Sequence, residues 1–227
     1  GGRLYLRTTV LPCSGEIQQN GDCIVLRYTV KAHAYTIINT DTEKEFSMST
    51  KIRWGLLAAG NIAHAFAAGV QHCELGVLHA VGSRDLDRSN AFADEFDIPQ
   101  RYGSYDELLA DPDVDAVYIS TLHPQHAEWA IKTAEAGKHM LCEKPLAMNA
   151  ADAAAIIDAA QRHDVFLMEA FMYRCNPQTA RLVELLRQKS IGEVRMIRAS
   201  FGFSIGDNYE SRAIAHEHGG GGILDVG

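Results

Sequence analysis

Several things are missing from this chain, and each absence narrows what it can do. It has no excess of positive charge: 21 Lys and Arg stand against 29 Asp and Glu, for a net charge of −8 and a pI near 5.7. A nucleic-acid binder needs a basic face for the phosphate backbone, and docking on anionic lipid needs one too, so neither partner is expected. No apolar run is long enough to span a bilayer, and residues 1–20 lack the apolar core of a signal peptide. No C-x-x-C pair occurs, and the cysteines (Cys13, Cys23, Cys73, Cys142, Cys175) are odd in number. Neither a disulfide framework nor a metal site is therefore expected, and a reducing, cytoplasmic setting fits best. There is no Ser/His/Asp order, no phosphate P-loop and no internal repeat.

What is present is a chain of 227 residues that is 47% apolar, enough for one domain and part or all of a second. Residues 1–47 stand apart. Segments 24–30 and 34–38 have β-like composition but carry no motif. Met48 to Trp54 reads as a natural protein start, so 1–47 is expected to be an appended extension, with a small native β-hairpin as the alternative. From Lys51 strand and helix alternate. Strands are expected at 53–57, 76–82, 115–120, 139–142 and 165–168. Helices are expected at about 61–70, 87–96, 104–110, 124–136 and 150–163. Strands separated by helices of this length imply an α/β fold with a doubly wound parallel sheet, here over residues 48–170. Beyond Glu169 the pattern changes to a helix at 177–188 and a long alternating strand at 193–203. Residues 171–227 are expected to be the truncated start of a second domain.

The chemistry concentrates where strands end, the place where open parallel sheets bind ligands. His139-Met140-Leu141-Cys142 runs into Glu143-Lys144-Pro145. A proline has a fixed φ and no N–H, so it stiffens the corner that presents the Lys144 amine, a group able to give or take a proton. The first strand turns into a helix through Ala58-Ala59-Gly60-Asn61-Ile62-Ala63. There backbone N–H groups and a helix N-terminus can receive a pyrophosphate, although Gly60 is the one glycine left of the usual fingerprint. The second strand ends in Gly82-Ser83-Arg84, with Arg88 one turn on. A carboxylate at that place binds the ribose of NAD; a hydroxyl and guanidinium groups instead suit a 2′-phosphate, which predicts NADP, with NAD as the lesser choice. The competing reading pairs Arg84 and Arg88 with Asp85 and Asp87. Thr121-Leu122-His123-Pro124-Gln125-His126 follows the next strand and would border the nicotinamide side. Asp225 follows a run of glycines and is read either as a substrate-orienting carboxylate or as a helix cap.

These stretches, together with Ala136-Gly137-Lys138-His139, Met168 to Arg174 and Gly219 to Gly227, occur in an order that resembles the glucose–fructose oxidoreductase / inositol dehydrogenase (Gfo/Idh/MocA) family over residues 51–227. The resemblance implies a Rossmann domain followed by an α/β domain with an open, mostly antiparallel sheet, through which many members form homo-oligomers. It implies NAD(P)-dependent hydride transfer at a CH–OH carbon of a sugar, polyol or cyclic diol. Lys144 would be the general acid/base and Asp225 its neighbour. Ala59, Gly60, Asn61, Ile62, Ser83, Arg84, Arg88, Thr121, His123, His126, Glu143 and Lys144 would bind the cofactor. Lys144, Tyr173, Arg174 and Asp225 would face the substrate, and the Lys144–Pro145 peptide would be cis. Two departures stand out. Ala58 replaces the first family glycine, and the motif that begins at Asp225 continues in the family to a His or Tyr four residues later, past residue 227. A noncatalytic dinucleotide sensor and an inactive fragment remain the rival readings. If residues 1–47 are an appended extension, deleting them should leave the melting temperature and cofactor affinity nearly unchanged; a large loss in both would overturn that reading.

Overall fold

The computed structural model describes residues 4–6, 17–20, 23–26, 37–39, 51–198, 200 and 215–222. In the first part of the chain, β1 (Leu4–Leu6) pairs antiparallel with β4 (Ile37–Asn39), and β2 (Ile17–Asn20) forms a hairpin with β3 (Cys23–Leu26). Of the segments expected at 24–30 and 34–38, β3 covers 24–26 and β4 covers 37–38, and the rest lies outside the described residues.

Residues 51–170 then alternate as the composition demands. The order is β5 (Ile52–Leu57), α1 (Asn61–Gln71), β6 (Gly76–Gly82), α2 (Leu86–Phe96), β7 (Gln100–Tyr102), α3 (Tyr105–Ala110), β8 (Ala116–Ile119), α4 (His126–Glu135), β9 (His139–Cys142), α5 (Ala150–Arg162) and β10 (Leu167–Glu169). The six strands form one all-parallel sheet in the order β10-β9-β8-β5-β6-β7. From β5 the chain steps outward to β6 and β7, then crosses back to β8 on the other side. That reversal opens a crevice at the carboxyl ends of β5 and β8.

The strands are apolar at nearly every position because both faces are covered. Leu57, Ala80, Val117, Ile119, Met140 and Cys142 point to the face packed by α3, α4 and α5. Leu56, Val81, Tyr118 and Leu141 point to the face packed by α1 and α2. Helix starts follow local chemistry: Asp85, Ser104 and Asn149 each accept a backbone N–H with the side chain, from Asp87, Glu107 and Asp152 respectively. α4 ends at Gly137, whose φ of 70° is the left-handed stop expected of glycine. Helix α2 ends at Phe96, before the Ile98-Pro99 pair, because Asp97 takes up a left-handed conformation.

At the amino edge of the sheet, Arg53 grips Asp115 with Nε at 3.1 Å and Nη2 at 2.9 Å. These bonds hold the Asp115 carboxyl below its ordinary value. The buried Lys138 amine donates to the carbonyls of Asp111 (2.6 Å) and Val114 (2.9 Å), tying β9 to the turn before β8.

Residues 171–200 belong to a second unit, together with the strands of residues 1–46. It holds a 3-10 turn (Met172–Cys175) and α6 (Pro177–Arg187), capped by Asn176. The long strand expected at 193–203 is not borne out where it is described. Residues 193–198 are irregular, and a strand needs a hydrogen-bonding neighbour that the described residues do not supply there. Among the described residues no helix is long and apolar enough to cross a membrane. Truncating the fully buried Leu57 to alanine should lower unfolding stability by about 3 kcal/mol, read from denaturant midpoints.

Candidate active site

Every expected site residue between Ala59 and Lys144 lies on loops or helix starts that leave the carboxyl ends of β5, β6, β8 and β9. After β5, Ala58 adopts a positive φ of 80°, and its N–H donates to the Gly82 carbonyl at 3.0 Å. Ser120 at the end of β8 ties the same turn down, its hydroxyl donating to the Leu57 carbonyl at 3.0 Å. Gly60 is extended (φ −94°, ψ 177°) and precedes α1 without any side-chain cap or acidic residue in the first turn. A Cβ built on Gly60 would meet no atom within 4 Å. Among the described residues, the helix therefore begins without a capping side chain and presents its N–H groups and the positive end of its dipole at the carboxyl edge of the sheet. Thr121, at the end of β8, buries a hydroxyl that has no hydrogen-bond partner among the described residues. These features fit a dinucleotide pyrophosphate, which would lie on the N–H groups of Asn61 and Ile62.

At the end of β6, Ser83 is buried and its N–H donates to the Tyr102 carbonyl at 3.2 Å. Arg84 and Arg88 are exposed. Asp85 spends its carboxylate on the Asp87 N–H, 3.0 Å away, and among the described residues no ion pair joins either arginine to Asp85 or Asp87.

The Lys144 corner is the most heavily pinned part of this edge. The Lys144–Pro145 peptide is cis, as the resemblance implies. Glu143 accepts the Tyr118 hydroxyl at 2.6 Å through one oxygen and the Lys144 N–H at 3.2 Å through the other. His126 is fully buried; its Nδ1 lies 2.7 Å from the Pro145 carbonyl and its Nε2 3.1 Å from the Thr121 carbonyl. Glu169, at the end of β10, accepts the Leu146 N–H at 2.8 Å. Lys144 itself is half-buried. Directly before the corner, burial pushes the Cys142 thiol far above its ordinary value, helped by the nearby Glu143 and Glu169 charges, so it is an apolar filler and no nucleophile.

Sequence reasoning missed Tyr118 and Glu169. Tyr118 was hidden as one apolar residue in a strand, yet its ring stacks on Phe66 of α1 (4.0 Å, 12°) while its hydroxyl faces Glu143. Glu169 gave a signal that could have been used, an acid closing a strand at the ligand-binding edge. His123 is buried with its ring 5.7 Å from that of His126, and the 3-10 turn His216–His218 lies beside the His123–Gln125 turn. Gly219 follows with a φ of 70°. Asp225 lies outside the described residues. Tyr173 and Arg174 belong to the second unit, in its Met172–Cys175 turn, where Tyr173 is exposed.

At the opposite edge, ligand atoms of His79, Asp111 and Asp113 fall within 4.8 Å of one another. Their carboxylates are already engaged. Asp111 accepts the Tyr102 hydroxyl and the Asp113 N–H, and Asp113 pairs with Arg53.

A parallel sheet with its crevice at the switch point, a bare helix start and a lysine at the next strand end define a dinucleotide-binding Rossmann domain. The signature of the oxidoreductase family with NAD-binding Rossmann fold (Gfo/Idh/MocA) matches residues 52–171, and the chain belongs to that family. It is 44% identical to trans-1,2-dihydrobenzene-1,2-diol dehydrogenase of Xenopus tropicalis over 184 residues, 79% of this chain and 54% of the relative. The Mus musculus enzyme of the same name is 43% identical over 179 residues, 78% of this chain and 53% of the relative. The chain thus spans about half the length of the curated relatives it matches. Among solved structures it resembles KijD10, a 3-ketoreductase from Actinomadura kijaniata in complex with NADP. The TM-score is 0.61 at 33% identity, covering 64% of this chain and 47% of the other.

Ala58 carries the cost of a β-carbon in a left-handed conformation. Ala58→Gly is expected to stabilise the domain by about 1 kcal/mol, measured as a raised melting temperature, with the turn geometry kept.

Proposed function

We propose that this chain is the cofactor-binding part of an NADP-preferring oxidoreductase that works on a CH–OH carbon of a sugar, polyol or cyclic diol. The observation that carries the reading is the Lys144 amine, set on a cis-proline corner one strand away from the crevice in which α1 begins. The nicotinamide, when bound, supplies the hydride acceptor or donor. Lys144 takes the hydroxyl proton during oxidation and returns it during reduction. Glu143, held by Tyr118, fixes the backbone N–H of Lys144, and His126 holds the carbonyl that follows it. His126 therefore serves the cofactor side from behind, through the backbone it grips. Ser83, Arg84 and Arg88 receive the 2′-phosphate, which the absence of a carboxylate in ribose-binding position favours.

The substrate class draws support from relatives named as diol dehydrogenases and from a ketoreductase with the same architecture. Residues 171–227 are read as the start of the substrate domain, with Tyr173, Arg174 and Asp225 on the substrate side, and the whole protein as a homo-oligomer through that domain's sheet. The free thiols of Cys73, Cys142 and Cys175 suit a reducing, cytoplasmic compartment.

In a protein extended to the length of its relatives, Lys144→Ala is expected to leave NADPH binding intact. Turnover of diols or aldoses should fall by roughly a hundredfold or more, the usual worth of a general acid/base. Turnover retained by this variant would refute the assigned role.

A further inference from the structure

The two arginines proposed to receive the 2′-phosphate stand on different elements. Arg84 lies on the loop that leaves β6, and Arg88 lies in the first turn of α2. Both are exposed, so their spacing depends on how α2 is seated against the end of β6. Whatever seats that first turn decides whether two guanidinium groups can meet one phosphate.

The seat is the last carbonyl of β7. Tyr102 ends this short strand opposite Gly82, the last residue of β6. Its carbonyl accepts two donors, the Ser83 N–H at 3.2 Å and the Ser89 hydroxyl at 2.8 Å. One donor stands just before residues 84–88 and the other just after them, so a single oxygen closes that loop at both ends. A serine inside a helix ordinarily turns its hydroxyl back to the carbonyl one turn earlier. Ser89 gives that carbonyl, of Asp85, its N–H at 3.2 Å and sends the hydroxyl across to another strand. Ser89 is fully buried, where a hydroxyl must find a partner, so the bond ties α2 to β7. The acceptor is itself anchored, because the Tyr102 phenol donates to Asp111 at 2.9 Å.

We propose that Ser89 is a positioning residue for NADP selectivity: its hydroxyl, donated to the Tyr102 carbonyl, seats the first turn of α2 so that Arg88 reaches the 2′-phosphate that Ser83 and Arg84 also receive. The inference rests on the NADP reading given above. Ser89, being fully buried, acts through Arg88, the residue before it on the same helix. The three-residue strand β7 is then part of the selectivity machinery, since it supplies the oxygen on which the loop closes.

The test is equilibrium binding of NADPH and NADH to the whole chain, scored as the ratio of the two affinities. Ser89→Ala removes the hydroxyl but leaves the Tyr102 carbonyl its bond to the Ser83 N–H, so no buried group is orphaned. NADPH affinity should fall roughly fivefold, about 1 kcal/mol, while NADH affinity stays unchanged. Arg88→Ala should lose at least as much NADPH affinity. Adding Ser89→Ala to it should cost nothing further, because α2 then carries no guanidinium to seat. Equal losses for NADPH and NADH, no loss, or additive losses in the double variant would overturn the proposal and leave Ser89 as a packing residue of α2. Ser89→Cys, similar in size and a weaker donor, gives the same ratio should the alanine variant fold poorly. Unchanged NADPH affinity in Arg88→Ala would rule the proposal out while the NADP reading stands on Ser83 and Arg84. Equal affinity of the unaltered chain for the two dinucleotides would defeat the NADP reading itself, and this proposal with it, before any substitution is made.

Discussion

A proline has no N–H, so a peptide chain that turns at proline can be fastened only by the groups on either side of it. At the Lys144 corner three of those groups are held by side chains. The N–H before the proline goes to Glu143, the proline's own carbonyl to His126, and the N–H after it to Glu169. Each fastener comes from a different element: the end of β9, the start of α4 and the end of β10. The amine therefore inherits its position from the sheet as a whole, and loosening any one strand end would move it.

That dependence explains why the remainder of the domain is rigid in the way it is. Alternate residues of β5, β6, β8 and β9 are buried on opposite faces, so no strand can slip by one position without turning its apolar set inside out. The amino edge is closed by charge, through Arg53 on Asp115 and the Lys138 amine on two carbonyls. Among the described residues, the carboxyl edge has a start of α1 without a side-chain cap and a buried Thr121 hydroxyl without a hydrogen-bond partner. Stability is thus concentrated at one end of the sheet and ligand chemistry at the other.

Most of this architecture was legible in the sequence because its signals are local. Asp85, Ser104 and Asn149, all residue types that cap helices, cap α2, α3 and α5, Gly137 follows α4 as its left-handed stop, and β6 has the expected bounds of Gly76–Gly82. The strand β7 was missed because a three-residue edge strand carries no periodicity. The strand expected at 193–203 followed from an alternation that says which face would be covered but cannot supply a neighbour. In the site, Lys144 and the glycine turn were readable from residue type and position. Tyr118 and Glu169 were not, since their importance lies in a hydroxyl and a carboxylate that reach backbone and side chains many residues away. His126 was expected to line the cofactor pocket, and its ring nitrogens face the Pro145 and Thr121 carbonyls.

The bare start of α1 has a consequence beyond recognition. An anion that binds this helix start in the folded chain, and not in the unfolded one, adds its free energy of binding to the stability of the fold. By mass action the folded population of such a domain deepens as its dinucleotide becomes more abundant.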